Sequence, residues 1–189
     1  MDATERHHRR SIRLRNHAYT HGSYFLTIGA EEREWLFGEI RNGKMILNEF
    51  GKIVEQCWKD IPLHFHNTRV DAHVVMPNHI HGILHLRTCT DTTCRGRTSD
   101  IVHIPETSRV PTQRSFQRAS PGTLSTIIGS FKSAVTRRIN LRRRESGAKV
   151  WQRNFHEHIV RNAAELAGFR IYIRDNPEIW KRDQEYFPR

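Results

Sequence analysis

The chain has 189 residues, enough for one domain whose core needs no disulfide or metal staples. Its 31 Lys and Arg against 20 Asp and Glu give a formal net charge of +11, and a small protein this basic usually meets nucleic acid, less often an anionic membrane surface. Three cysteines (Cys57, Cys89, Cys94) are too few and too odd a set for a disulfide framework and suit a reducing cytosol, while the absence of an apolar run near about 18 residues or of a signal-peptide core argues against secretion or a membrane span.

The charge is localised. Between Gly122 and Arg153 stand Lys132, Arg137, Arg138, Arg142, Arg143, Arg144, Lys149 and Arg153 against Glu145 alone. A solvated, solubilising face would intersperse acids with these bases, so the run points to a polyanion. A second basic patch, Arg6, Arg9, Arg10, Arg13 and Arg15, lies in residues 1–22, which read as a polar N-terminal arm ahead of a single domain over 23–189.

Tyr24 to Ile28 reads as a first strand, and Trp35 to Leu47 as a hairpin turning at Asn42-Gly43. Asn48 caps a helix in which Phe50, Ile53, Val54, Cys57 and Ile61 fall at helical spacing and which is expected to stop at Pro62. Val70 to Met76 is an apolar strand, Pro77-Asn78 a turn, and His79 to Leu86 its antiparallel neighbour. Residues 87–120 shift to Thr, Ser, Arg and Pro without an apolar period, the pattern of a flexible insertion. Ser120-Pro121 is a good helix start, followed by a stripe of Leu124, Ile127, Ile128, Phe131, Val135 and Ile139 whose opposite face carries arginines. Val150 to Ile159 reads as extended, and Asn162 and Glu165 have capping-box spacing before a last helix expected to end at Asn176-Pro177. This order predicts an α+β domain of the ferredoxin-like (RRM-like) plan, a mainly antiparallel sheet with helices packed on one face.

On the strand after Pro77-Asn78, side chains alternate, so His79 and His81 face the same way, roughly 7 Å apart along the chain, while Ile80, Gly82, Leu84 and Leu86 face the core. Two imidazoles at this spacing are workable metal ligands, but a lone His-x-His also recurs by chance among thirteen histidines. The last helix offers partners: Tyr172 and Asn176 lie one turn apart on one face, although Tyr172 alone also reads as a core residue beside Phe169 and Ile173. Two imidazoles and an amide oxygen with open positions suit Mg²⁺ or Mn²⁺ better than a closed Zn²⁺ site. Such an ion polarises a phosphodiester, and a tyrosine hydroxyl is then a candidate nucleophile that stores the bond as a phosphotyrosine.

Pro77-Asn78-His79-Ile80-His81-Gly82, Ser130 to Thr136, Trp151-Gln152-Arg153-Asn154, Glu157-His158, and Tyr172-Ile173 followed by Asn176-Pro177 resemble the REP-associated tyrosine transposases of the HUH single-tyrosine transposase superfamily. The likeness extends to residues 9–14 and 37–40 and so spans nearly the whole chain except the insertion. It implies an HUH endonuclease-type domain that binds single-stranded DNA hairpins, imperfect REP-like palindromes, and cuts beside them with a divalent metal. It further implies His79 and His81 as metal ligands, Tyr172 as the nucleophile left joined to a 5′-phosphate, and Asn176 as a third ligand, direct or through water where relatives can carry Gln. The resemblance also implies a monomer, without small-molecule substrate or membrane partner, that is cytoplasmic and nucleoid-associated in a bacterium. The N-terminal arginines Arg9, Arg10 and Arg13 resemble an arm that reads a short sequence at the hairpin foot, and Lys132, Arg137, Arg138 and Arg153 are the candidate backbone contacts.

Other groups weigh towards structure. His85 shares the strand face of His81, but four residues at about 3.3 Å each put it too far along the strand to share an ion, so it reads as structural or surface. His73 reads as buried and hydrogen-bonded, Arg142 to Arg144 equally as a solvated helix end near the C-terminal dipole, and Glu157-His158 as a structural pair or as an orienting pair for the tyrosine. Cys89 and Cys94 lack a second Cys pair for Zn²⁺. Two further functions stay open: a hairpin-binding protein that does not cut, and a metal-dependent phosphodiesterase that uses water.

Overall fold

The computed structural model describes residues 19–87 and 122–186, with side chains described through Trp180. Residues 1–18 of the expected N-terminal arm, with Arg9, Arg10 and Arg13, and nearly all of the 87–120 insertion with Cys89 and Cys94, lie outside the described residues, whereas the end of that arm belongs to the domain: Tyr19 stacks on Tyr24 and Gly22 opens the first strand.

Strands β1 (Gly22–Gly29), β4 (Thr68–Met76), β5 (His79–Leu86) and β6 (His156–Val160) form a sheet of order β4-β5-β1-β6, antiparallel throughout. A separate two-stranded sheet joins β2 (Gly38–Arg41) to β3 (Lys44–Leu47). Its turn is the one expected: Asn42 and Gly43 both have positive φ, 51° and 72°, the paired left-handed geometry that matches strand twist.

Helices α1 (Glu49–Lys59) and α3 (Leu124–Arg143) cover one face of the large sheet, and α4 (Ala163–Tyr186) crosses the other. The expected packing on one face therefore holds for α1 and α3, with α4 adding a third layer. The α3 stripe is buried throughout, from Leu124 to Ile139, against Leu26, Ile28, Ile80 and Leu84. Gly82 is required where α1 meets β5, because a Cβ there would stand 2.7 Å from Cε2 of Trp58, closer than packed atoms allow. Trp58 in turn meets the edge of Phe131, with ring centroids 5.4 Å apart.

Several boundaries differ from expectation. The first helix ends at Lys59, and Pro62 opens rather than stops a structure: it sits in the first turn of α2 (Ile61–His64), where a missing N–H costs nothing. The cap of α3 is Thr123, whose hydroxyl accepts from the Thr126 amide at 3.4 Å, whereas Ser120 and Pro121 lie outside the described residues. The segment expected as extended from Val150 to Ile159 makes only an isolated bridge from Trp151 to Ala30 before β6 begins at His156.

The largest difference is in α4. Asn162 caps it as expected, its Oδ1 accepting from the Glu165 amide at 2.8 Å while the Glu165 carboxylate accepts from the Arg161 amide at 2.7 Å. The helix then continues through Pro177 instead of ending there. A proline inside a helix forfeits one backbone hydrogen bond and crowds the preceding turn. Burial of Trp180 one turn later, to 6% exposure, opposes that loss, so tertiary packing overrides the local stop signal. No helix among the described residues is long and apolar enough to cross a membrane.

Candidate active site

Because β5 alternates, its core side carries Ile80, Gly82, Leu84 and Leu86, and its other side carries His79, His81 and His85 under α4. His79 and His81 are 7% and 1% exposed, and their Nε2 atoms lie 2.9 Å apart. The same-face reading of the pair is correct.

Each ring is held from behind. Nδ1 of His79 donates to Oδ1 of Asn78 at 2.7 Å, and the Asn78 amide is oriented by its Nδ2, which donates to the Arg33 carbonyl at 3.3 Å. That bond puts the proton of a neutral His79 on Nδ1 and leaves a lone pair on Nε2. Nδ1 of His81 lies 2.8 Å from the Thr27 hydroxyl, which serves either tautomer. With Nε2 protonated, His81 donates to His79; with Nδ1 protonated, two lone pairs face one spot, which then attracts a cation. Oxygen partners behind two convergent imidazoles are the arrangement that orients metal-ligating histidines.

Helix α4 supplies the facing wall. Phe25 of β1 stacks on Phe169 (centroids 4.4 Å apart, planes at 9°) and on His81 (5.3 Å), and meets Tyr172 edge-on at 5.8 Å. This cluster sets the Tyr172 ring against His81 at 5.2 Å, with its hydroxyl 3.4 Å from His81 Nε2. Trp180, two turns further on, stacks on His79 at 5.6 Å. Asn176 stands midway between these two contacts and is therefore on the helix face turned to the histidines. It is fully buried, yet neither atom of its amide has a hydrogen-bond partner. A buried unsatisfied amide costs about 1–3 kcal/mol, of which a cation would relieve the oxygen's share and a water either atom's. The donor set therefore fits a divalent ion held by two imidazoles and an amide oxygen. Among the described residues no three His, Cys, Asp or Glu side chains gather as a closed metal site.

A second polar chain pins α4 to the sheet. Arg170 donates to both carboxylate oxygens of Asp71, from Nε at 3.1 Å and Nη2 at 2.6 Å. Asp71 sits where the β4 register shifts and also bonds His85 Nε2 at 2.8 Å; His85 Nδ1 in turn reaches the Ser23 hydroxyl at 2.6 Å. The Arg170 and His85 bonds hold the Asp71 carboxyl far below the usual carboxylate range. His85 is thus structural, as expected. So is His73, which lies on the opposite face against Trp58, with its pKa pushed down by burial. His158 pairs with Glu165 at 2.6 Å and packs on Phe169, so it supports the helix that carries Tyr172.

The predicted nucleic-acid contacts do not gather at this site. Lys132, Arg137 and Arg138 lie on α3, which covers the other face of the sheet from His79 and Tyr172. The Lys132 ammonium donates to the carbonyls of Gln152 (2.6 Å) and Arg153 (3.0 Å), and burial pushes its pKa down. Arg138 reaches Cys57 Sγ at 3.3 Å and Asp60 at 3.9 Å, while Arg142 pairs with Glu49 and Arg143 lies over the Phe50 ring. Arg137 and the Arg153 side chain are exposed.

Sequence reasoning passed over Trp180, Thr27 and Trp35. Trp180 falls eight residues after Tyr172, on the same helical face, a signal hidden by ending the helix at Pro177. Thr27 faces the site only through the pairing of β1 with β5, opposite His81, which no local pattern encodes.

The four-stranded antiparallel sheet with α1 and α3 on one face and α4 on the other is a fold shared with a REP-associated tyrosine transposase. The solved structure of one such transposase, bound to a REP hairpin, aligns with 87% of this chain and 72% of its own at a TM-score of 0.53 and 17% identity. A putative transposase from Deinococcus radiodurans R1 aligns at a TM-score of 0.44 and 16% identity, over 86% of this chain and 95% of its own. In sequence, an uncharacterized protein of Haemophilus influenzae is 39% identical over 185 residues, 95% of this chain and 94% of its own length, and the chain belongs to one family with it. No protein-family model matches the chain.

Proposed function

We propose that this protein is a transposase-like single-strand DNA endonuclease and strand transferase that binds REP-type DNA hairpins and cleaves beside them through a 5′-phosphotyrosine on Tyr172. The observation that carries this reading is the Tyr172 hydroxyl, 3.4 Å from Nε2 of His81 and one helical turn from the unsatisfied amide of Asn176. The fold it shares with a hairpin-bound transposase and the net charge of +11 support the same partner.

Held by His79, His81 and Asn176, a divalent Mg²⁺ or Mn²⁺ would supply Lewis-acid polarisation of the scissile phosphate. The chain's own residues do the rest. Asn78 and Thr27 keep both Nε2 atoms turned inward, and Phe25 and Phe169 hold the tyrosine ring against His81. The Tyr172 oxygen attacks phosphorus; the Oη–P bond forms, the P–O3′ bond breaks, and the departing 3′ oxygen leaves as a hydroxyl after taking up the proton that the phenol releases to solvent. The phosphotyrosine conserves the energy of the broken bond, so a later 3′-hydroxyl can reverse the step on a new strand without ATP.

The test is a hairpin oligonucleotide with a single-stranded flank, incubated with the protein and Mn²⁺ and run on a denaturing gel. A covalent protein–DNA adduct is expected from the native chain, and an adduct that persists in Tyr172→Phe sinks the assignment. Cleavage without adduct, retained in Tyr172→Phe and lost in His79→Ala, would point instead to a phosphodiesterase that uses water.

A further inference from the structure

Trp35 is 61% exposed, an unusual position for the largest apolar side chain, and it is not isolated. It meets Trp180 edge-on, with centroids 6.1 Å apart and planes at 64°, and Trp180 stacks on His79 at 5.6 Å and 29°. A ladder of aromatic rings therefore runs from the histidine pair to the surface and ends on an open indole.

The segment carrying Trp35 is fastened to the site. The Arg33 carbonyl accepts from the Asn78 side chain behind His79, and the Phe37 amide donates to the Pro77 carbonyl at 2.9 Å. Trp35 thus sits between two anchors on the turn that leads into the histidine pair, and Phe37 is fully buried two residues on. An exposed indole at a fixed distance from a reaction centre is pre-organised, so a ligand that covers it spends little ordering entropy.

We infer that Trp35 is a stacking platform for one unpaired nucleobase of the single strand, next to the phosphate that Tyr172 attacks. The inference rests on the proposed function and adds to it the residue that positions the flank. The occupant is a base rather than a phosphate because Trp35 offers a flat π-face, and Glu32 and Glu34, exposed and just before it in sequence, disfavour a phosphate. The basic residues of α3 lie across the sheet, and on α4 Arg170 is engaged with Asp71 and Arg174 with Asp175, so the base is the handle that the α4 side offers beside the scissile phosphate. Stacking of this kind accepts any base, with purines favoured by their larger face.

The experiment is a double-mutant cycle on binding of a hairpin oligonucleotide with a single-stranded flank, read by fluorescence anisotropy in Ca²⁺ with Tyr172→Phe as the parent. One arm is Trp35→Ala and the other replaces the flanking nucleotides one at a time by an abasic site. Trp35→Ala is expected to weaken binding by about fivefold to about a hundredfold. Removing the base at one flanking position should cause the same loss, and combining the two should add nothing. Trp35→Phe should restore most of the affinity, which separates stacking from a folding defect. Losses that simply multiply at every position overturn the platform. Adduct formation by the native chain is scored separately: a coupled cycle without adduct keeps the platform and removes the tyrosine chemistry, whereas an adduct with an uncoupled cycle does the reverse.

Discussion

The hydroxyl of Tyr172 lies 3.4 Å from Nε2 of His81, although 91 residues separate the two in the chain. The contact joins a helix on one side of the sheet to the strand beneath it, and it makes the histidine pair one side of the proposed reaction centre. Removing only the oxygen should therefore remove only the chemistry. Tyr172→Phe is expected to keep the fold and to bind a hairpin oligonucleotide within about twofold of the native chain, while adduct formation falls below detection on a denaturing gel.

The groups behind the histidines should control metal affinity without touching the ion. Asn78→Ala removes the Asn78 bond to Nδ1 of His79, and Thr27→Val removes the Thr27 bond to Nδ1 of His81. Each change is expected to weaken Mn²⁺ binding, measured by calorimetry with the metal alone, by about 10-fold to 100-fold. Affinity unchanged in both would mean that the rings are oriented by packing alone.

The Arg170–Asp71–His85 chain should make stability depend on acidity. The folded Asp71 carboxyl titrates far below its ordinary value of 3.8, so the unfolded chain binds the proton more readily. The carboxylate therefore stabilises the fold fully above about pH 4, and this contribution is lost as pH falls towards the folded value. Asp71→Asn should lower the melting temperature at pH 7, and its deficit relative to the native chain should shrink at about pH 3. A deficit that is constant across that range would show that the charge contributes nothing.

Two basic residues on α3 should behave differently. Lys132 is engaged with the carbonyls of Gln152 and Arg153, so Lys132→Met should cost about 1–3 kcal/mol of stability, seen in urea titration. Arg137 is exposed, so Arg137→Gln should leave stability within about 0.5 kcal/mol. If it meets a phosphate, the slope of log K against log salt for hairpin binding should fall by about 0.7–0.9.

What the sequence by itself determined is which faces are apolar and where the chain turns. Alternation through Ile80, Gly82, Leu84 and Leu86 put His79 and His81 together, Asn42-Gly43 made the hairpin, and the stripe from Leu124 to Ile139 made α3 one-sided, because each follows from the period of a local backbone geometry. Only the tertiary structure decided what covers each face. It carried α4 past Pro177, since the burial of Trp180 is a non-local gain that outweighs one lost hydrogen bond. It put the arginine-rich helix across the sheet from the site and engaged Lys132 with two carbonyls, because charge counting does not register which ammonium groups the fold itself uses. It also brought Thr27 and Asn78 behind the histidines and left Trp35 open beside them, through strand pairing and a loop anchored at two points, neither of which has a period to read.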